Sequence, residues 1–161
     1  MPNFLVNTLF MMDYKHILPD TLNIDKVIAV GHDWGGLVSW YMALYQPHRV
    51  LAEASSCTPY WNTLPENSKL ESFVKIYPIL ACQLYLVQDQ AAQVFDANIE
   101  KIFRLVYSFK CIKSPPMTQG MEELIPNLKR CHIEEASHYL LWESPDKANS
   151  VLKQWFLQIT S

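Results

Sequence analysis

Three of the chain's four glycines, Gly31, Gly35 and Gly36, fall within six residues of one another, directly after the apolar run Val27–Val30 in the stretch VIAVGHDWGG. Average usage would supply roughly eleven glycines to a chain of this length. A sequence so sparing of glycine spends it where the backbone must turn tightly or approach closely. A short apolar run entering such a turn reads as a buried parallel strand. After the turn, Trp34 to Gln46 carries Leu37, Val38, Trp40, Tyr41, Ala43 and Leu44 around most of a helical circumference, and Pro47 closes the stretch. The spacing predicts a largely buried helix. A strand, a cramped turn and a helix with a carboxylate, Asp33, at the corner restrict the fold more than any other feature of the chain.

The remainder alternates in kind. Val50–Ser55 reads as a second strand, and Cys57–Lys69, with Pro59 and Pro65, as loop. Residues 70–109 are helical in pattern: an apolar segment Ile76–Val87 interrupted at Pro78, then an amphipathic segment Gln90–Tyr107. Cys111–Thr118 is irregular, Met121–Ile125 a helical turn and Lys129–Glu134 a short strand. His138 follows in a loop. Ser144 and Pro145 are an N-cap and first helical residue, ahead of an apolar face made by Val151, Leu152, Trp155, Phe156 and Ile159. Strands interleaved with helices imply an α/β class with a small, mainly parallel sheet. With 161 residues, one domain is expected.

Half the residues are hydrophobic and 18% are charged, with a net charge of −3. This gives no electrostatic reason to expect nucleic acid. No apolar run reaches the ~20 residues that span a bilayer. The N-terminal MPNFLVNTLFMMDYK has no basic residue before its apolar part, so no secretory signal is expected, and four cysteines without paired spacing read as free thiols, for which a reducing cytoplasm is expected. Cys57, Cys82, Cys111 and Cys131 show no zinc-ligand spacing, and neither metal nor cofactor is implied.

Small-x-nucleophile-x-small between a strand and a helix is the pattern of a nucleophile elbow, which lifts one side chain above the sheet at a helix N-terminus. Helix dipole and free N–H groups favour negative charge there. Asp33 is anionic at neutral pH and needs no base to attack an electrophilic carbon, such as that of an epoxide or alkyl halide, and form an ester. Hydrolysing that ester requires water activated by a base, a role suited to histidine. The Trp34 backbone N–H offers half an oxyanion hole. Of the five histidines, His16 and His48 read as surface residues, His32 lies inside the turn and His132 reads as a core residue of the last strand, leaving His138 in its loop.

The segment GHDWGGLVSWYMALYQPHRV resembles the elbow and following helix of the epoxide hydrolase family of α/β-hydrolases, near its soluble type. QLYLVQ is similar to the start of that family's helical lid, and MTQGMEELIPNLKRCHIEEASHYLLWESPDKANSVLKQWF to its last strand, histidine loop and final helix. The resemblance implies a partial α/β-hydrolase fold over residues 1–161, with core segments 20–60 and 117–161 and a lid remnant at about 61–116. It also implies Asp33 as nucleophile, His138 as base, Trp34 N–H at the oxyanion, and a small apolar epoxide as substrate.

Several parts of the family pattern have no counterpart. No His-Gly pair occurs to supply the second oxyanion donor, and SFKCIKSPPMTQG, where the histidine's acidic partner belongs, has no Asp or Glu. Cys82 stands where the first lid tyrosine belongs, with Tyr85 nearby. The expected activity is therefore impaired epoxide hydrolysis. The alternative is an inactive, shortened member that binds a partner, and a haloalkane dehalogenase ranks below both. Strand edges left open by a truncated sheet are expected to promote self-association.

Overall fold

The computed structural model describes residues 23–61, 69–107, 118–134 and 136–160. Contacts divide the chain into two units, 1–85 and 86–161.

The first unit is built on strand β1 (Val27–His32), helix α1 (Trp34–Tyr45) and strand β2 (Val50–Ser56). The two strands pair in parallel, from Ile28 opposite Ala52 to His32 opposite Ser56, with an irregularity between Val27 and Ile28. Parallel neighbours cannot be joined by a tight turn, so the intervening helix makes the crossover and lies against both strands. Its first turn is set by Asp33, and Gln46 ends it by returning its N–H to the Met42 carbonyl. Ala29, Leu37 and Tyr41 form the buried contact between helix and sheet. Further along come α2 (Leu70–Ile76), a 3-10 turn at Pro78–Leu80 and α3 (Cys82–Leu86). Proline forces the break because it lacks the N–H a continuing helix would use. Phe73, only 3% exposed, meets Trp61 and Tyr77 edge-on at ring-centroid distances of 5.0 and 5.1 Å.

The second unit contains α4 (Ala91–Ala97), α5 (Ile99–Tyr107), α6 (Met121–Leu124), α7 (Leu140–Glu143) and α8 (Pro145–Thr160). Along α8 the five apolar positions 151, 152, 155, 156 and 159 are all half-buried, and the intervening 153, 154, 157 and 158 are exposed. The helical period read from the sequence holds there residue by residue.

Three expectations are corrected. Lys129–Glu134 is not a strand: 129–133 are irregular, 134 is in a turn, and β1 with β2 are the strands among the described residues. An extended segment becomes a strand only when another pairs with its N–H and C=O groups. His132 is accordingly exposed rather than a core histidine, and borders an open groove with Glu134, Asp146 and Lys147. Helix α1 is half-buried, not largely buried; Trp34, Leu44 and Tyr45 are each 42–45% exposed because only one side of it meets the two strands. The expectations for His16, Cys111 and the N-terminal segment lie outside the described residues, as does most of the irregular stretch Cys111–Thr118.

Candidate active site

The corner between β1 and α1 is held by its backbone. Asp33 has φ 52° and ψ −122°, a conformation that L-residues rarely adopt. Such a residue costs of order 1–3 kcal/mol and persists only where its surroundings hold it. Here the Asp33 N–H donates to the Ser56 carbonyl at 3.1 Å. The Asp33 carbonyl accepts from the Leu37 N–H at 3.1 Å and from the Thr58 hydroxyl at 2.6 Å. The loop after β2 is pinned in turn, with Ser55 Oγ and Trp40 Nε1 both donating to the Thr58 carbonyl at 2.7 and 3.1 Å. At the corner, Asp33 Oδ1 accepts the Trp34 N–H at 2.7 Å, at the start of α1.

The three glycines are not equivalent. A Cβ at Gly31 would lie 2.1 Å from the Gly35 carbonyl oxygen and 2.5 Å from the Gly36 nitrogen. A Cβ at Gly36 would lie 2.3 Å from Ser55 Oγ and 3.0 Å from Thr58 Cβ. One at Gly35 would meet nothing within 4 Å. Gly31 and Gly36 are therefore required by close approach, of helix start to strand end and of helix to β2. Gly35 is not.

Beneath the corner, β2 carries Glu53 toward α1. Ser39 Oγ lies 2.6 Å from Glu53 Oε1 and 2.9 Å from the Gly36 carbonyl oxygen, and Ser39 is 3% exposed. Glu53 Oε2 is buried with no hydrogen-bond partner. Burial pushes the Glu53 carboxyl up to about 7, and the hydrogen bond from Ser39 offsets only part of that rise.

His138 belongs to the second unit, in the turn ahead of α7. Its neighbour Ser137 is buried, and both Ser137 polar groups are held by one carboxylate: the N–H donates to Glu143 Oε2 at 2.5 Å and the hydroxyl to Glu143 Oε1 at 2.6 Å. These bonds, and behind them the charge of His138, hold the Glu143 carboxyl below its ordinary value. Tyr139 stands edge-on to the His138 ring at 5.2 Å and packs on Tyr107 of α5 at 4.4 Å. A turn tied at 137 and packed at 139 restricts the backbone that carries the imidazole.

Gly31, Asp33, Trp34, Gly35 and Gly36 come together in the first unit. Cys82 is exposed at the start of α3, and Tyr85 is half-buried in the same helix. Sequence reasoning missed Thr58, Glu53 and the bracing by Glu143. A glutamate inside the otherwise uncharged strand VLAEASS was the available signal for Glu53. Thr58 had none, since its role depends on where β2 ends in space.

The alpha/beta hydrolase fold family matches residues 8–78 of the chain. Bifunctional epoxide hydrolase 2 of Rattus norvegicus is 36% identical over 220 aligned positions, covering 83% of this chain and 40% of that protein. Bifunctional epoxide hydrolase 2 of Sus scrofa is 36% identical over 84 residues, 52% of this chain and 15% of its own length. Epoxide hydrolase 1 of Siraitia grosvenorii is 38% identical over 112 positions, covering 66% of this chain and 34% of that protein. The chain thus spans less than half the length of each of these curated relatives.

Proposed function

The chain belongs to the α/β-hydrolase superfamily, within its epoxide hydrolase family, and from that premise we propose that it opens epoxides through an ester on Asp33. The observation that carries this reading is the strained corner, which puts a carboxylate at the start of a helix with the Trp34 N–H 2.7 Å from its Oδ1. Backbone strain of this size, held by three hydrogen bonds, is a cost that function explains better than folding does.

In the proposed sequence, one Asp33 carboxylate oxygen attacks an epoxide carbon. The carbon–oxygen bond of the ring breaks, and the alkoxide takes a proton from solvent. The ester carbonyl left behind is Asp33's own, so the Trp34 N–H already addresses a carboxyl oxygen that becomes the oxyanion. His138 then takes a proton from water, and the hydroxide attacks that carbonyl. Collapse breaks the ester's bond to the diol oxygen, which takes the proton held by His138, and Asp33 releases its own proton to solvent, freeing the diol and restoring the carboxylate. The elbow glycines Gly31 and Gly36 allow the close approach this turn needs.

Turnover is expected to be slow. Losing the analogous histidine-orienting aspartate costs about 10⁴ in rate in serine proteases, and residues 108–120 offer no acid to orient His138. Slow hydrolysis predicts that the ester accumulates. Incubation with an aryl epoxide and intact-mass measurement should show a persistent adduct in the wild type and none in Asp33→Asn. Diol production at the rate of an efficient hydrolase would refute the impairment. Absence of both adduct and diol would favour the second reading, a non-catalytic member that binds a partner. That reading draws on the same missing acid and on Cys82 in the lid position.

The proposal places the protein in the cytoplasm and includes self-association through the edges of the β1–β2 sheet, where Val30 and Leu51 are 50% and 56% exposed. Two strands alone are marginal in water. Sedimentation velocity should show a boundary that speeds up with protein concentration, and a concentration-independent monomer would remove this part of the reading.

A further inference from the structure

Strand β2 ends opposite His32, and the next residue, Cys57, turns the chain with φ 62°. The segment on either side is fixed to the Asp33 corner. Ser56 accepts the Asp33 N–H, and Thr58 donates its hydroxyl to the Asp33 carbonyl. This places the Cys57 sulfur within 4.8 Å of an imidazole nitrogen of His32, both in the first unit. Cys57 is exposed, so a small reagent reaches it from solvent. A thiol is a weak nucleophile until its proton is removed, and an adjacent imidazole is the usual means of removing it.

From this juxtaposition we infer that Cys57 and His32 form a second nucleophilic pair, distinct from Asp33, that captures small carbon electrophiles as thioethers. His32 accepts the thiol proton, and the sulfur's electron pair attacks the electrophilic carbon. With an alkyl halide, the carbon–halogen bond breaks and halide leaves. With an epoxide, a ring carbon–oxygen bond breaks and the alkoxide oxygen takes the proton back from the imidazolium. Neither case needs an oxidant or a further reactant. The thioether is not hydrolysed, so each pair reacts once, and the product sits beside the Asp33 corner. This makes Cys57 a covalent modification site for the electrophile class the corner itself would meet, and it does not depend on Asp33 being active.

The test uses the full chain and limiting iodoacetamide at pH 7.5, with peptide mass mapping at successive times. Cys82 and Cys131 are also exposed and serve as internal references. Cys57 should be alkylated about tenfold faster than either reference, a ratio in keeping with base activation of a thiol. The advantage should survive Asp33→Asn and disappear in His32→Gln. Equal rates at the three cysteines overturn the inference. A Cys57 advantage that ignores His32→Gln overturns it too. If His32→Gln does not fold, the wild-type ratio decides. Loss of the epoxide adduct with retention of Cys57 alkylation would mark a failure of the Asp33 reading alone.

Discussion

Gly31→Ala is expected to abolish cooperative folding of the first unit, or to lower its urea midpoint far below that of the wild type, whereas Gly35→Ala four residues later is expected to leave it unchanged or raise it. The added methyl at 31 would lie 2.1 Å from the Gly35 carbonyl oxygen, with the Gly35 carbonyl carbon and the Gly36 nitrogen at 2.3 and 2.5 Å. All three are backbone atoms, so no side chain can swing aside. Relief requires the start of α1 to move off the end of β1, and that movement would strain the bonds Asp33 makes to Ser56, Leu37 and Thr58. Overpacking costs about 1–3 kcal/mol, and more where backbone must shift. At Gly35 the methyl enters open space inside a helix, where alanine is favoured over glycine by about 0.5–1 kcal/mol. Gly36→Ala should fall between, because its nearest contact is the Ser55 hydroxyl, which can rotate, backed by a firmer one at Thr58. Urea titrations followed by circular dichroism would rank the three. A Gly31→Ala midpoint equal to the wild type would contradict the corner as described.

Glu53→Gln is expected to remove a pH dependence of stability that the wild type carries. Ser39 has one hydroxyl hydrogen and two acceptors within 2.9 Å, the Gly36 carbonyl and Glu53 Oε1. A neutral Glu53 resolves the conflict by donating its own proton to Ser39 Oγ while Ser39 donates to Gly36. The folded-state value of about 7 lies above the ordinary 4.5, so between those values the folded chain holds a proton that the unfolded chain has released. Stability from this group is therefore complete below about pH 4.5 and is lost as the pH rises through 7. The full shift would amount to about 3 kcal/mol. Partial exposure of the residue lets solvent screen the charge, and about 1–2 kcal/mol is the expected loss. The glutamine amide donates to Ser39 Oγ at every pH. Denaturation at pH 5 and pH 8 should show the variant gaining on the wild type by that amount at the higher pH. Parallel pH profiles for the two proteins would refute a neutral Glu53.

The two predictions differ in how far the sequence anticipates them. Clustered glycines marked the corner, but whether each one was sterically required depended on distances between β1, α1 and β2. The spacing reserved all three for the turn, and close packing requires only Gly31 and Gly36 there. Likewise, the helical period along 145–160 was legible because a helix face is set by residues three and four apart. Lys129–Glu134 misled because Cys131 and Ile133 alternate with polar neighbours as they would in a strand, which satisfies only half of what a strand requires, the other half being a partner.

Local pattern was written in the chain: a short strand, a turn with a carboxylate at its apex, a helix behind it, and a final helix opened by Pro145. These depend on neighbours in sequence, so composition and period suffice to find them. The parallel pairing of β1 with β2, the grip of Ser56 and Thr58 on Asp33, the buried Glu53 under Ser39, and the clamp of Glu143 on Ser137 were decided by the tertiary structure alone. Each joins groups whose separation in sequence carries no period, and their hydrogen bonds form only when packing has brought the segments to within 3 Å or so of one another.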